Sequence, residues 1–312
     1  MRGAFFRYLA QSTRPIFVGP WRSELGFETL YWLPWLAKWR ETYKIAKDRL
    51  IVLSRGGAGV WYDAAKTVEL YDYAPVAQIR QAMLKDSLQT ASVKQTRITS
   101  WERTLVPLIA EGLGLRRYHV LHPSWMYHDL APWWEEKVGR AYLKDRLTFG
   151  VVPTGIPPLE MPLPDRFLAV SFYARHTFRM DADNKAWVMD QVDKLAKVIP
   201  IVVLESGAHM DDHVAFPLSG PNIMSTAPYL TTHNNLQVQA AVLNKAIGFV
   251  GTYGGTMQLA VRLRKPAVGF YSKLEGTCYA HKALTEWLGV QQQTPVLIGR
   301  IDDAKYIREV MG

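Results

Sequence analysis

Short apolar runs and longer amphipathic stretches take turns along the second half of the chain. The predicted strands are in RFLAVSFYAR, IPIVVLES, IGFVGT and PAVGFYS, and the predicted helices are in NKAWVMDQVDKLAKV, NNLQVQAAVLNKA and GGTMQLAVRLR. Strands that are apolar at nearly every position are buried on both faces, and the helices between them in sequence cover the two faces of the sheet. The pattern therefore predicts an α/β fold with a parallel sheet.

The first half shows a looser form of the same pattern. Pro15–Val18 is predicted as a strand and about Glu24–Tyr43 as a helix. Further strands are predicted in DRLIVLSRGG and RRYHVLHPSW. The aromatic run LYWLPWLAKW has helical spacing, which favours core packing over a sugar platform, with Pro34 kinking the helix or lying near its first turn.

A proline-rich segment separates the two halves. Gly150–Phe167 reads GVVPTGIPPLEMPLPDRF and holds five prolines in 18 residues. Each proline fixes its own φ and restricts the residue before it, so we expect a stiff linker. The boundary divides the chain into domains 1–155 and 156–312, a plausible division for 312 residues.

Composition narrows the class of protein. The apolar fraction of 48%, with 11 Trp, 15 Tyr and 11 Phe, is ample for packed cores. No window holds 18 uninterrupted apolar residues, and the first residues are too polar for a secretory signal. The single cysteine, Cys278, excludes an internal disulfide and fits a reducing compartment. We therefore expect a soluble, cytoplasmic protein with no membrane span.

The net charge of +9 is concentrated in the first half. Residues 1–150 carry 22 Lys and Arg against 14 Asp and Glu, whereas residues 151–312 carry 15 against 14. This asymmetry predicts an acidic partner, a nucleic acid or a phosphorylated glycan, for the first domain. A surface that is basic without a partner explains the same count.

The strongest motif follows a predicted strand that ends at Val250. Gly251, Thr252, Tyr253, Gly254, Gly255 and Thr256 form a turn that leads directly into a helix. Small residues let the backbone approach a ligand, and a helix start offers N–H groups with partial positive charge. The Thr252 and Thr256 hydroxyls are further donors. The turn is a candidate diphosphate site; the alternative is an ordinary turn with Thr256 as N-cap.

The segment AIGFVGTYGGTMQLAVRLRKPAVGFYS resembles the donor-site segment of GT-B glycosyltransferases, and is similar to those of the heptosyltransferase and fucosyltransferase groups. The resemblance covers about thirty residues. It implies two Rossmann-like lobes facing a cleft, with acceptor in the N-terminal lobe and nucleotide sugar in the C-terminal lobe. It implies no cofactor beyond the nucleotide-diphosphate sugar as co-substrate, and no metal.

A second donor-side candidate is AVSFYARHTFRMDADN, Ala169–Asn184. It resembles the first-strand motif of fucosyltransferase-type enzymes, in which a strand ends in His-x-Arg, although Tyr173 stands here in place of that histidine. A guanidinium matches two phosphate oxygens, which favours Arg175 as a clamp. The candidate donor-binding residues of this segment are Ser171, Arg175, His176 and Arg179.

Acidic residues nearby allow other interpretations. Asp181 and Asp183 have the D-x-D spacing of metal-dependent transferases, but their position before a helix favours N-capping. Glu205 ends a strand, where an acidic group is suited to bind a ribose hydroxyl. His209, Asp211, Asp212 and His213 do not have the spacing of a known metal site.

The turn VGPWRSELGFE joins the first strand to the first long helix and supplies the candidate catalytic residues. Glu24 is the candidate base that takes the acceptor proton, with Glu28 one helical turn later. Arg22 is the candidate that neutralises acceptor or leaving diphosphate. The alternative is structural, because Ser23, Glu24 and Glu28 also make a good helix start.

The hypothesis is thus a metal-independent, inverting glycosyltransferase of the hexosyl or pentosyl class. Two alternatives stay open: a DNA-modifying glycosyltransferase acting on a hydroxylated base, and a non-catalytic protein that binds a nucleotide or phospho-ligand. Ser54–Gly59, SRGGAG, is a weak phosphate-loop candidate because no Lys-Ser/Thr follows. His122 and His128 are expected to be structural.

Overall fold

The computed structural model describes residues 2–90, 94–152, 161–175, 177–205, 213–275 and 277–311. The chain forms two compact units. Unit 1 comprises Met1–Gly155 and the short segment Thr232–Leu236, and unit 2 comprises Ile156–Thr231 and Gln237–Gly312.

Unit 1 is built around a parallel sheet of four strands in the order β3-β2-β1-β4. The strands are β1 (Ile16–Val18), β2 (Leu50–Ser54), β3 (Lys66–Glu69) and β4 (His119–Leu121). The helices are α1 (Arg2–Gln11), α2 (Leu25–Phe27), α3 (Leu33–Tyr43), α4 (Val76–Thr90), α5 (Ser100–Gly112), α6 (Ser124–Trp134) and α7 (Ala141–Lys144). β1 and β2 are fully buried, as their apolar sequences predict.

The predicted helix Glu24–Tyr43 is confirmed, with an irregularity inside it. Between α2 and α3 the residues Glu28–Trp32 form one π-helical turn. Pro34 lies two residues after the end of this π-helical turn, at the start of α3. Since proline has no N–H to donate, the change in hydrogen-bond pattern coincides with it. Trp32, Trp35 and Trp39 are buried, which confirms core packing for this aromatic run.

Unit 2 contains a six-stranded sheet, all parallel, in the order β12-β11-β10-β5-β7-β9. Its strands are β5 (Leu168–Ser171), β7 (Ile201–Val203), β9 (Ile223–Ser225), β10 (Phe249–Thr252), β11 (Ala267–Tyr271) and β12 (Val296–Arg300), while β6 (Tyr173–Ala174) and β8 (Val214–Ala215) pair separately and antiparallel. The helices are α8 (Ala182–Ala196), α9 (Asn235–Lys245), α10 (Gly255–Arg262), α11 (Thr277–Gln291) and α12 (Ile301–Met311). Two parallel sheets flanked by helices confirm the predicted α/β class.

The connections of unit 2 sort its helices onto two faces. The chain passes from β5 through α8 to β7 in one direction, and from β10 through α10 to β11 in the other. Because such crossovers are right-handed, α8 and α10 cover opposite faces of the sheet. Trp187 and Val188 of α8 share a core cluster with Ile301, the first residue of α12. The starts of α8 and α12 therefore lie on the same face, away from α10.

The longest helices, α4, α8 and α11, have 15 residues each. In the described part of the chain, no helix combines the length and apolar character needed to cross a membrane.

Candidate functional site

The turn after β10 is shaped by close contact with β5. Gly251 is paired in register with Ser171, and any side chain at Gly251 would overlap the Ser171 carbonyl oxygen. A side chain at Gly254 would overlap the Tyr173 hydroxyl. The backbone of Ser171 therefore accounts for Gly251, whereas Gly254 lies against the end of the Tyr173 side chain. That small residues let a ligand approach this turn stays a prediction.

Thr252 has a structural role in this turn. The residue is fully buried, and its hydroxyl donates to the Tyr173 carbonyl (2.9 Å) while accepting from the Tyr173 N–H (3.0 Å). The prediction that this hydroxyl donates to a phosphate is wrong, because its proton is already used. Tyr253 is also buried, and its backbone N–H donates to the Phe270 carbonyl (2.8 Å).

The start of α10 offers backbone donors. Gly254 is the N-cap residue and makes no side-chain cap hydrogen bond, so the alternative with Thr256 as N-cap is wrong. The first N–H groups of a helix have no acceptor within the helix, and the helix dipole adds partial positive charge there. In the described structure no side chain accepts from Gly255 or Thr256. Gly255 is half-buried, so this end of the helix is accessible.

The side chains of Tyr173, His213 and Arg175 contact one another in series, and the first of them lies against Gly254. The ring of His213 stacks on Tyr173, with centroids 4.2 Å apart, and Arg175 Nη1 lies 3.4 Å from His213 Nε2. The antiparallel pairing of β6 with β8 brings them together. Sequence reasoning treated His213 only as a poor metal ligand, since no local spacing links it to Arg175. Arg175 is half-buried at the carboxyl end of β5, as predicted.

Glu205 follows β7 and is half-buried. Its carboxylate accepts a hydrogen bond from the Ser225 hydroxyl, and its backbone N–H donates to the Thr226 hydroxyl (3.0 Å). These contacts hold the carboxylate at the carboxyl end of the sheet. Its binding to ribose stays a prediction.

The remaining residues predicted from the β5 segment are separated by the fold. Ser171 is buried and Arg179 is exposed. Asp181 accepts from the Asn184 N–H (2.8 Å) as the N-cap of α8, which confirms the capping interpretation over D-x-D metal binding. His176 lies outside the described residues.

In unit 1 the candidate catalytic turn begins at a strained position. Gly19 has φ 113°, and a side chain there would come within 2.7 Å of the Leu53 carbonyl oxygen. The buried Trp21 stacks on Trp32, with ring centroids 5.8 Å apart. Ser23 exchanges a hydrogen bond with the Tyr127 hydroxyl (3.1 Å) and caps no helix. The turn is thus anchored to the core on both sides.

Arg22 is buried in an ionic network and does not face a substrate. It is 2% exposed, and its Nε donates to Glu102 (3.1 Å). Glu102 also contacts His122 (3.1 Å) and Gln95 (3.0 Å). Burial opposes ionisation of Glu102, but the hydrogen bond and charge of His122 and the charge of Arg22 outweigh it and lower the pKa to about 2. The prediction that Arg22 neutralises a substrate is corrected to a structural role, and His122 is structural as predicted.

Glu28 is fully buried, so the prediction that it is a catalytic base is also corrected. It accepts from Arg55 (3.3 Å) and from the Tyr62 hydroxyl (2.6 Å). Burial raises the pKa of Glu28, although Arg55 and Tyr62 oppose the shift. Arg55 also donates to the Ser23 carbonyl. The Arg55–Glu28 pair therefore holds the backbone of the turn at Ser23.

Glu24 is the carboxylate of this turn that is left half-buried. It is the N-cap residue of α2, with extended backbone (φ −64°, ψ 145°), but its side chain does not cap the helix. Burial raises the pKa of the neighbouring Tyr127, and the negative charges of Glu24 and Glu28 contribute to that shift. The arrangement presents Glu24 on a rigid support at the carboxyl end of β1.

The glycine loop of unit 1, Ser54–Gly59, already holds an anion. The N–H groups of Gly56 and Gly57 each donate to the Glu69 carboxylate (3.0 Å). Burial raises the pKa of Glu69, and these amides oppose the shift. The amides that would bind a phosphate in this loop are therefore already bonded to Glu69, in line with its weak motif.

Metal ligation receives no support from the described residues, among which no three His, Cys, Asp or Glu side chains gather closely enough to hold an ion. His209, Asp211 and Asp212 lie outside the described residues, as does much of the predicted linker (residues 153–160).

Comparisons with known proteins complete the description. No protein-family model matches the sequence, and no curated protein matches it. Solved structures similar to this chain include the E. coli heptosyltransferase WaaC with ADP (11% identity, TM-score 0.45, 92% of this chain and 93% of that one) and a family 9 glycosyl transferase from Veillonella parvula (12%, 0.47, 96% and 89%). The E. coli ADP-heptose LPS heptosyltransferase II is a third (13%, 0.43, 85% and 86%). They are of the class that the donor-loop segment resembles. At such low similarity, the activity of this chain is argued from its own residues.

Proposed function

We propose that this protein is a glycosyltransferase that moves a sugar from a nucleotide-diphosphate donor to an acceptor hydroxyl, independently of a metal and with inversion. The observation that carries the proposal is the start of α10, where the N–H groups of Gly255 and Thr256 have no described side-chain acceptor. Arg175 contacts His213, which stacks on Tyr173 next to this helix start. The resemblance of this segment to GT-B donor loops supports the same assignment.

The donor is held by its diphosphate. A helix start is suited to bind phosphate oxygens, and a guanidinium adds two charge-assisted hydrogen bonds. Arg175 and the α10 amides together supply the charge that a metal supplies in other transferases. Glu205 receives the ribose hydroxyls.

Glu24 is the general base in this proposal. The acceptor oxygen attacks the anomeric carbon, and its proton passes to the Glu24 carboxylate. The bond from that carbon to the diphosphate oxygen breaks, and the electron pair leaves with the nucleoside diphosphate. Attack from the side opposite the leaving group inverts the configuration.

The basic surplus of unit 1 supports an acidic acceptor, a glycan or a nucleic acid. Part of that surplus lies at the other end of the sheet from Glu24, because the exposed Arg14, Arg116 and Arg117 precede β1 and β4. An acceptor bound at the carboxyl end does not reach these charges directly. This position favours a glycan over DNA, which would use the whole basic surface.

The test is a thermal-shift screen of nucleotide sugars followed by calorimetry on the best ligand. Arg175→Gln is expected to weaken binding at least about tenfold, the loss of one charge-assisted clamp. Arg166→Gln is the matched control, since Arg166 is exposed before the same strand, at its amino end. Equal affinities of the two variants would remove the donor assignment.

A further inference from the structure

The amino end of the sheet in unit 1 carries positive charge that the proposed transfer does not use. Glu24 lies at the opposite end, after β1. The first residues of β2, β1 and β4 are paired in register. Arg49 directly precedes β2, and Arg14 and Arg117 stand two residues before β1 and β4. The register therefore brings these three arginines to one end of three neighbouring strands.

Contacts show that the charges before β1 and β2 are close to each other. The Arg49 guanidinium donates twice to the Arg14 carbonyl (3.2 and 3.0 Å) and once to the Leu9 carbonyl (2.9 Å). The His119 ring lies against Tyr8, with ring centroids 5.2 Å apart. Burial lowers the pKa of His119, and the charges of Arg14 and Arg49 add to that shift. Both arginines therefore act on one ring at the start of β4.

Carboxylates do not balance the charge at this end. We define the cationic rim as the basic residues that lead into the four strands or start β3, which are Arg14, Lys44, Lys47, Arg49, Lys66, Arg116 and Arg117. The carboxylates of the same segments are Asp48, Asp63 and Glu111. Asp63 pairs with Lys47 (3.6 Å) and with Arg40 of α3 (3.0 Å). Outside these pairs the rim has six cations against two carboxylates.

Helix capping accounts for part of the rim. The helices α1, α3 and α5 end where the chain turns toward these strands, and cations are favoured at helix carboxyl ends. Arg49 has this role, because it is half-buried and bonded to a carbonyl in the last turn of α1. Arg14, Arg116 and Arg117 are exposed. Within the described part of the chain, their side chains make no hydrogen bond or ion pair, so these charges are available to a partner.

Two features favour a lipid surface over a nucleic acid as that partner. The partial negative charge of helix carboxyl ends opposes the close phosphate contacts of a protein–DNA complex. It falls off within one turn, whereas an anionic surface acts across a Debye length of about 8 Å. The Tyr8 side chain is 52% exposed and lies beside His119. A tyrosine, with an apolar ring and a polar tip, is suited to the headgroup level of a membrane.

We propose that the cationic rim docks this protein on an anionic lipid surface, with Tyr8 at the headgroup level. Each basic residue near such a surface strengthens binding about fivefold, and clusters of about four to eight of them bind acidic lipids. The docking is electrostatic, so salt weakens it. The assignment does not depend on the proposed glycosyl transfer, because it uses none of the residues assigned to that reaction.

The experiment is co-sedimentation of the full chain with vesicles of phosphatidylcholine alone and with vesicles that contain about one-third phosphatidylserine. Binding to the acidic vesicles is expected to be at least about tenfold tighter and to be lost at about 1 M salt. Equal binding to the two kinds of vesicle, or binding to neither, would overturn the proposal. Tighter binding to a DNA duplex than to the acidic vesicles at the same salt would assign the rim to a nucleic acid and would also overturn it.

A triple variant locates the contact. Arg14→Gln, Arg116→Gln and Arg117→Gln combined are expected to weaken binding to the acidic vesicles about a hundredfold. The control removes the same charge from exposed positions of unit 2, through Arg166→Gln, Lys185→Gln and Lys197→Gln. Equal losses in the two triple variants would contradict docking through the rim. Thermal unfolding of each variant verifies folding.

A single substitution tests the aromatic part. Tyr8→Ser is expected to weaken binding to the acidic vesicles about fivefold, and Tyr306→Ser, at an exposed tyrosine of α12, is the control. Equal binding of these two variants would remove Tyr8 from the contact. Arg175→Gln should bind the vesicles as wild type does, and the triple rim variant should keep its affinity for the nucleotide sugar. Failure of the donor site and failure of the docking surface are therefore distinguishable.

Discussion

Each unit has a glycine-containing turn after a parallel strand, and the two turns differ in whether their amides are bonded to a side chain. In unit 1 the amides of Gly56 and Gly57 are occupied by the Glu69 carboxylate. In unit 2 the amides of Gly255 and Thr256, at the start of α10, have no described side chain as acceptor. Similar sequence patterns therefore give one loop whose amides are bonded to a carboxylate of the same unit and one turn whose amides have no described side-chain acceptor.

The same contrast extends to the arginines of the two sheet ends. Arg22 and Arg55 of unit 1 are buried against Glu102 and Glu28. Arg175 of unit 2 is half-buried and contacts His213. A guanidinium buried in an ion pair supports the fold, whereas a half-buried one at the carboxyl end of a sheet can be reached by a ligand. Together with the accessible start of α10, this position is the basis for proposing the donor site in unit 2.

The largest expected effect is on Glu24, the half-buried acid of the turn after β1. Glu24→Gln is expected to lower kcat by about a hundredfold to ten-thousandfold, because the acceptor proton loses its base. Donor affinity should not change. The measurement is initial rate against donor concentration, with Glu111→Gln, an exposed acid on α5, as control. A rate within twofold of wild type would exclude Glu24 as the base.

The next effect concerns stability and sets Arg22 against Arg175. Arg22→Met is expected to cost about 3–5 kcal/mol in the free energy of unfolding, since it leaves Glu102 charged and buried. Arg175→Gln is expected to cost less than about 1 kcal/mol. Urea unfolding followed by circular dichroism measures both. Equal costs would mean that the two arginines contribute equally to the free energy of unfolding. That result would contradict the contrast between a buried ion pair and a half-buried arginine.

Much of the fold could be predicted from the sequence because its signals are local. Runs such as IPIVVL and LIVLS are apolar on both faces, and the parallel strands they predict are present. The π-helical turn at Glu28–Trp32, inside the predicted helix Glu24–Tyr43, could not be predicted, since no residue pattern indicates it.

The site was predicted less well because its decisive contacts are distant in sequence. Arg22 and Glu102 are separated by 80 residues, so their pairing could not be inferred, and Arg22 was assigned to a substrate. Thr252 was assigned to a phosphate for the same reason, although Tyr173 occupies its hydroxyl. The contact of His213 with Tyr173 was not predicted, because it depends on the pairing of β6 with β8.

A pH prediction follows from the two buried acids of unit 1. The lowered pKa of Glu102 stabilises the fold fully above the ordinary value of 4.5, and the contribution, about 3 kcal/mol, is lost as pH falls toward 2. The raised pKa of Glu28 acts in the opposite sense, and its contribution is lost as pH rises above 4.5.

The measurement is the free energy of unfolding of wild type against Glu102→Gln and Glu28→Gln across this range. The advantage of wild type over Glu102→Gln should shrink as the solution is acidified from pH 4.5. Its advantage over Glu28→Gln should shrink as pH rises. Parallel curves for either pair would contradict the pKa shift assigned to that residue.

The smallest expected effect concerns the loop Ser54–Gly59, in which the amides of two glycines are bonded to Glu69. Glu69→Ala is expected to lower the free energy of unfolding by about 1–3 kcal/mol, because the amides of Gly56 and Gly57 lose their acceptor. Added phosphate should restore part of that loss by binding the vacated amides. Glu111→Ala is again the exposed control. An equal response of variant and wild type to phosphate would show that this loop does not bind anions.

The central claim is that the α10 amides, and not those of the unit 1 loop, hold a diphosphate. Its direct test is a titration of ¹⁵N-labelled protein with a nucleoside diphosphate, observed through backbone amide resonances. The account predicts saturable shifts at Gly255 and Thr256, with Gly56 and Gly57 unmoved. Shifts confined to Gly56 and Gly57, or unchanged Gly255 and Thr256 resonances at saturation, would contradict it.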